Sequence, residues 1–146
     1  MLSLLLACAH HLMLFGLILM VGRQALLLQQ SPTPVLALSR LDKGVGMAAG
    51  LMLVIGICRV LWGEKGWDFY QSNPFFWAKL GTYILIGLLS VGPTIQFIRW
   101  HKQHLADSAF APPSPEVAKA QQFILVEVVL VGLMFVFAAA MARWPF

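Results

Sequence analysis

Four ionisable residues lie within long apolar stretches of this 146-residue chain, namely His10, His11, Lys79 and Glu127. An ionisable side chain in such surroundings loses free energy unless it finds a partner, so these residues are the first candidates for chemistry. An imidazole can bind a metal, an amine can pair with an anion, and an intramembrane carboxyl group can carry a proton. Which of these roles applies depends on the elements that position the side chains.

The composition identifies those elements as membrane-spanning helices. Hydrophobic residues make up 60% of the chain and charged residues only 11%, which is typical of a bilayer protein. Crossing a hydrocarbon core of ~30 Å takes roughly 20 helical residues, and four stretches are long enough. We predict an all-α fold, an integral membrane bundle of four transmembrane helices in a single domain over 1–146. The predicted spans are about 2–21, 45–62, 75–97 and 123–142.

The distribution of Lys and Arg predicts the orientation of the chain, because these residues accumulate in cytoplasmic loops. The first and third connections with their flanks carry six of them, against three on the other side. We therefore expect both termini to be non-cytoplasmic. The predicted partners are the lipid bilayer and a second copy or another membrane-complex protein. Without a basic aromatic patch, no nucleic-acid partner is expected.

The first helix presents the two histidines in different directions. Neighbouring residues of an α-helix point about 100° apart, so His10 and His11 cannot both face one small site. The stripe of His11 continues with Phe15 and Ile18, and that of His10 with Leu14 and Leu17. Neither stripe is distinctly more polar, and we favour His11 as the residue that faces the interior.

Lys79 begins a polar stripe on the third predicted span. Counting by three and four from it gives Tyr83, Gly87, Ser90 and Thr94 on an otherwise aliphatic helix. Such a stripe is expected to face the bundle interior. The alternative for Lys79 is that its long side chain reaches back to the membrane surface.

The second span contains a series of glycines that can be interpreted in two ways. Gly46, Gly50 and Gly56 allow close approach of either a neighbouring helix or a flat ligand, and close helix packing is the favoured interpretation. Asp42 is positioned to cap the start of this helix, and Arg59 lies near its other end. The segment that follows, "WGEKGWDFYQSNP", alternates aromatic and charged residues. It is predicted to form a lid at the outer surface, with the next helix starting at Asn73-Pro74.

Glu127 lies roughly 9 Å inside the fourth span. Three interpretations remain open: a protonated or hydrogen-bonded structural residue, a proton relay, or an ion pair with Lys43 or Arg99. Direct pairing with Lys79 is not expected, because the two residues enter the bilayer from opposite faces.

A resemblance to a known group of proteins covers nearly the whole chain. It rests on "GICRVLWGEKGWDFYQSNPFFWAKL", "GLLSVGPTIQFIRW" and "AMAR", together with the first-helix histidine and the fourth-helix glutamate. The chain resembles a bacterial family of predicted four-helix membrane proteins of unestablished function, which implies a place in the bacterial inner (plasma) membrane. A weaker likeness extends to HemJ-type protoporphyrinogen oxidases and CopD-type proteins, through the first-helix histidine and the "WAKL" start of the third helix. In the HemJ type these features go with bound haem b, whereas the later Tyr-His pair of that type is missing here.

Two function classes follow. In one, the bundle binds haem b, with His11 or His10 as metal ligand and Lys79 as second ligand or charge partner, while Arg59 approaches the propionates. The cofactor-binding candidates are His11, His10, Lys79, Tyr83 and Arg59. In the other, the protein is a non-catalytic membrane component or small transporter, whose polar residues form interhelical hydrogen bonds worth ~1 kcal/mol each. The lack of a clear second histidine ligand favours the second class.

Overall fold

The computed structural model describes residues 1–63 and 65–145 and shows an all-α chain with four long apolar helices. The elements are α1 (Leu2–Leu28), α2 (Val35–Trp62), the short α3 (Gly66–Ser72), α4 (Pro74–Ala106) and α5 (Ser114–Arg143). The long helices α1, α2, α4 and α5 each have the length and hydropathy needed to cross a bilayer. The predicted fold class is confirmed.

The long helices extend well beyond the predicted spans at one end of the bundle. There α1 continues to Leu28, α2 already starts at Val35, α4 continues to Ala106 and α5 starts at Ser114. A helix can continue past the hydrocarbon core because its backbone groups remain hydrogen-bonded while polar side chains reach water. The prediction that Asp42 caps α2 is therefore wrong, since Asp42 lies about two turns inside that helix.

The start of α4 agrees with the prediction and has a clear local cause. The side chain of Asn73 accepts a hydrogen bond from the Phe75 amide at 3.0 Å, and Pro74 occupies the first helical position, where no amide hydrogen is needed. The other end of the Asn73 side chain donates to the Met141 carbonyl at 3.1 Å. One buried residue thus starts α4 and ties it to the end of α5.

Each long helix packs against two of the others, in the order α1, α2, α4, α5 around the bundle. The pairs α1/α4 and α2/α5 therefore face each other diagonally across the interior. Short connections between α1 and α2 and between α4 and α5 make these neighbours antiparallel. The bundle thus has a connection end, where these two links lie, and an α3 end, where α3 joins α2 to α4.

The hydrophobic core occupies the connection end. Its largest members, Phe97 and Trp100 of α4, are almost completely buried. The remaining buried members of the cluster are Val21, Leu27, Leu28, Val35, Leu38, Ala120 and Ile124. Hydrogen bonds reinforce this packing, because Trp100 Nε1 donates to Glu116 at 2.8 Å and Gln121 donates to the Leu28 carbonyl at 2.8 Å. Few side chains are buried toward the α3 end, so the interior there is left open.

Candidate functional site

A cavity of about 460 Å³ lies inside the bundle and is lined by residues from all five helices. Its size falls within the ~300–1,000 Å³ typical of small-molecule sites. Most of its wall is apolar, and the polar side chains that line it gather in two groups. One group lies toward the α3 end and the other toward the connection end.

The first group consists of His10, Arg59 and Lys79, which we call the cationic cluster. All three side chains line the cavity and are partly buried, and they lie close enough for their charges to interact. Within 1–63 and 65–145, the side chains of Arg59 and Lys79 form no hydrogen bond or ion pair. The cluster therefore concentrates positive charge at one end of an apolar space.

The structure reverses the predicted roles of the two histidines. His11 is exposed on the outside of α1, where its Nδ1 lies 2.7 Å from the Ala7 carbonyl of the same helix. His10 faces the cavity, and its Nδ1 is buried without a hydrogen-bond partner among the described residues. The preference for an inward His11 was wrong. The missed signal was Gln24, which lies further along the stripe of His10 and makes that stripe the polar one.

The polar stripe of α4 faces the interior as predicted. Lys79, Tyr83, Gly87, Ser90 and Thr94 all line the cavity. The Tyr83 hydroxyl donates to the Ala49 carbonyl of α2 at 2.5 Å, which links the two helices beside the cavity.

The second polar group consists of Gln24, Asp42, Thr94 and Glu127, which we call the carboxyl cluster. Gln24 Nε2 and Thr94 Oγ1 donate to Asp42 Oδ1 at 3.1 Å and 3.2 Å. Glu127 is only 3% exposed and lies close enough to Asp42 for the two carboxyl groups to interact electrostatically. The structure thus brings together three helices at Asp42, a residue that the sequence analysis had assigned to a helix cap.

Of the three interpretations left open for Glu127, the ion pair with Lys43 or Arg99 is wrong. Both basic residues are exposed on the outside of the bundle, and Glu127 Oε1 has no hydrogen-bond partner within the described chain. No ion pair joins Glu127 to Lys79 among those residues either, as expected from their different depths.

Within the segment predicted to be a lid, α3 (Gly66–Ser72) borders the cavity, while Glu64 lies outside the described residues. Trp67 and Tyr70 of α3 and Phe76 and Trp77 of α4 all line it. The ring of Trp67 makes edge-to-face contacts with Phe76 and Trp77, each at 6.4 Å between centroids. Trp77 Nε1 also donates to the Gln71 carbonyl at 3.1 Å. These contacts hold α3 against α4 at the mouth of the cavity.

Two of the three predicted glycines of α2, Gly46 and Gly56, border the cavity, whereas Gly50 is exposed. A Cβ atom placed on Gly46 or Gly50 would meet no atom within 4 Å, and one on Gly56 would approach only His10 Cε1, at 3.8 Å. Gly46 and Gly56 both line the cavity. The favoured packing interpretation is therefore wrong at Gly46 and Gly50, since no neighbouring helix uses the space.

The donor atoms in the cavity wall limit which metal or haem could bind there. Among the described residues, no group of three or more His, Cys, Asp and Glu is placed to hold a metal ion. A haem needs fewer ligands, and His10 has a buried nitrogen that lacks a partner. Within the described parts of the chain, His10 is the single histidine that lines the cavity, together with the thioethers of Met52, Met134 and Met141. The side chains present are compatible with a haem held by one histidine.

Comparisons with known proteins give one result. A family model described as a predicted membrane protein (DUF2214) matches residues 2–144. No curated protein and no solved structure matches the chain. The resemblance to a family of four-helix membrane proteins is confirmed, whereas the weaker resemblance to HemJ-type and CopD-type proteins stays a prediction.

Proposed function

The chain belongs to the DUF2214 family of predicted membrane proteins, and we propose that this member binds an amphiphilic anion inside its bundle. In this proposal the protein is a non-catalytic membrane component or small transporter. The ligand carries a carboxylate or phosphate group on an apolar body.

The cationic cluster is the observation that supports the proposal. Arg59 and Lys79 lie beside His10 in a largely apolar cavity, and the described residues supply them with no counter-charge. A charged group in such surroundings is costly unless an opposite charge accompanies it. A bound anion would supply that charge at the mouth of the cavity.

The remaining wall of the cavity indicates what the apolar body of the ligand would be. Between the cationic cluster and the carboxyl cluster the wall is formed mostly by aliphatic and aromatic side chains, including Leu14, Met52 and Phe135. Trp67 and Trp77 are about half exposed at the α3 end. Such a surface suits an acyl chain, an isoprenoid or a flat ring system, because it offers apolar contact and few hydrogen-bonding groups.

The location proposed for this activity is the bacterial inner membrane. The excess of Lys and Arg at the connection end favours a cytoplasmic position for that end and a non-cytoplasmic position for both termini. The cationic cluster would then lie in the outer half of the bilayer. Many large apolar side chains on the outer faces are exposed and contact lipid, and a second copy or a membrane-complex partner is proposed to share part of that surface.

Thermal unfolding in a neutral detergent tests the proposal with two matched probes, dodecyl phosphate and dodecanol. We expect dodecyl phosphate to raise the Tm with saturation and dodecanol to have little effect, because only the phosphate can pair with Arg59 and Lys79. Loss of one charge-assisted hydrogen bond of ~1.5–3 kcal/mol corresponds to roughly 10–100-fold in Kd, so Arg59→Gln and Lys79→Met should each weaken binding to this extent.

The matched controls are Arg99→Gln and Lys102→Met, which make the same chemical changes on exposed residues of the connection end. Their Kd for dodecyl phosphate should equal that of the wild type. Equal stabilisation by dodecanol, or equal effects of the two pairs of variants, would reject the anion site.

A second candidate, haem b, is a particular amphiphilic anion and is favoured by His10. His10 lines the cavity, and its Nδ1 forms no hydrogen bond with the described residues. His10 would hold the haem iron through its imidazole, while Arg59 and Lys79 would pair with the propionates. When bound, haem b would supply membrane electron transfer or oxidation of a porphyrin-like substrate.

Absorption spectroscopy separates this candidate from other anions. Protein purified from haem-replete cells should show a Soret band that His10→Ala abolishes or shifts. His11→Ala is the matched control and should leave the band unchanged, because His11 faces outward. A colourless preparation, or a band indifferent to His10→Ala, would remove haem and leave the general anion proposal intact.

A further inference from the structure

The carboxyl cluster at the connection end of the cavity contains more acceptor oxygens than the described residues satisfy. Gln24 is 1% exposed, and its Oε1 has no hydrogen-bond partner although its Nε2 donates to Asp42. Glu127 Oε1 is likewise buried and unpartnered. A buried oxygen without a donor costs free energy, and two such oxygens at one place indicate a missing positive partner.

The charges of the cluster lead to the same conclusion. Two carboxyl groups, from Asp42 on α2 and Glu127 on α5, lie close together, and the donors described for Asp42 are both neutral. No Lys, Arg or His of the described chain forms an ion pair with either carboxyl group. Neighbouring carboxylates in an apolar setting need a counter-charge to remain ionised.

The types of donor atom determine which cation would fit. Carboxylate, amide carbonyl and hydroxyl oxygens are available, and neither nitrogen nor sulfur ligands belong to the cluster. All-oxygen sites favour hard cations over transition metals. Intramembrane acidic residues facing a bundle interior are moreover typical of ion sites, including Na⁺ sites in transporters.

We propose that Gln24, Asp42, Thr94 and Glu127 form a Na⁺ site at the connection end of the cavity. The carboxyl groups supply the charge, while Gln24 Oε1 and Thr94 Oγ1 complete the oxygen shell. The site joins α1, α2, α4 and α5, so bound Na⁺ would hold all four long helices together. It lies at the opposite end of the cavity from the cationic cluster and does not depend on the proposed anion ligand.

The test is thermal unfolding of the full-length protein in neutral detergent at fixed pH and constant ionic strength, with NaCl replaced stepwise by choline chloride. A ligand that binds only the folded state raises the Tm with its concentration. We expect a saturable rise with Na⁺ and a smaller one with K⁺, which is too large for a shell formed around Na⁺. Equilibrium dialysis with ²²Na⁺ should give saturable binding over the same concentration range.

Glu127→Gln and Gln24→Leu should each weaken ²²Na⁺ binding at least about tenfold, which corresponds to ~1.4 kcal/mol. Asp107→Asn is the matched control, since it removes an exposed carboxylate outside the cluster and should bind ²²Na⁺ like the wild type. Dialysis reports binding directly, so a variant of altered stability remains informative while it is folded. Absence of saturable ²²Na⁺ binding to the wild type, or equal binding by Glu127→Gln, would overturn the proposal.

Discussion

The two ends of this bundle are built from the same four helices and yet differ in what fills the space between them. At the connection end, Trp100 and Phe97 occupy the interior and are 0% and 1% exposed. At the α3 end, Gly56 of α2 borders a cavity into which His10, Arg59 and Lys79 project. Large interlocking side chains fill one end, whereas a small residue and two cations with no counter-charge among the described residues leave room for a ligand at the other.

The comparison indicates a division between stability and binding. Substitutions at the connection end should mainly change the free energy of unfolding, because they remove buried contacts. Substitutions that line the α3 end should mainly change ligand affinity, because little packing is lost there. The following predictions test this division, beginning with the largest effect on stability.

The largest loss of stability is expected for Trp100→Ala. The substitution leaves a cavity in the core and removes the hydrogen bond to Glu116, so the free energy of unfolding should fall by about 3–5 kcal/mol. Denaturant titration in mixed micelles measures this. Trp77→Ala, at a half-exposed tryptophan of the α3 end, should cost clearly less. Equal losses at the two sites would contradict the division.

An intermediate effect is expected for Asn73→Ala. This change removes the cap of α4 and the hydrogen bond to the Met141 carbonyl, and each contributes about 1 kcal/mol. The same titration should show a total loss of ~1–3 kcal/mol. Ser72→Ala changes the neighbouring residue, whose hydroxyl donates to carbonyls of its own helix, α3. This substitution should leave the free energy of unfolding nearly unchanged. An unchanged free energy of unfolding for Asn73→Ala would show that the link between the start of α4 and the end of α5 contributes no stability.

A smaller effect is expected for Tyr83→Phe. The substitution keeps the ring and removes only the hydrogen bond to the Ala49 carbonyl, so about 0.6–1 kcal/mol should be lost. The probe is the unfolding midpoint in sodium dodecyl sulfate. Ser90→Ala is the comparison, since the Ser90 hydroxyl bonds only within its own helix. Equal midpoints for Tyr83→Phe and the wild type would show that this interhelical bond contributes no stability.

The smallest effect, with the opposite sign, is expected for Gly50→Ala. A Cβ atom there meets no neighbour, so the higher helix propensity of alanine should add about 0.5–1 kcal/mol. Gly44→Ala is the contrast, because its Cβ would lie 2.5 Å from Met20 Cε and force that side chain to move. Destabilisation by Gly50→Ala would restore the interpretation that close helix packing uses this glycine.

The sequence predicted the features that depend on composition and on one helix at a time. Apolar length predicted the four spans, the Asn73-Pro74 pair predicted the start of α4, and counting from Lys79 predicted the inward polar stripe. Helix ends were missed because polar turns continue α1, α2, α4 and α5 beyond the hydrocarbon region. These are extensions that hydropathy does not detect.

The features that were missed depend on contacts between helices. Asp42 looked like a cap because its partners, Gln24 and Thr94, lie 18 and 52 residues away in sequence. His11 was preferred to His10 because the stripe of His10 was not followed as far as Gln24. The inward face of a helix can be identified from its polar stripe only when every turn of the helix is counted. Which residues of two different helices come into contact can be known only from the folded structure.

Native mass spectrometry of the protein released from neutral detergent tests the central claim most directly, which is that the α3 end of the cavity binds an amphiphilic anion. The wild type titrated with dodecyl phosphate should acquire one ligand mass at low concentration, and the Arg59→Gln/Lys79→Met variant should not, while the Arg99→Gln/Lys102→Met control should behave like the wild type. The same single adduct on the Arg59→Gln/Lys79→Met variant, at the same concentration, would contradict the claim.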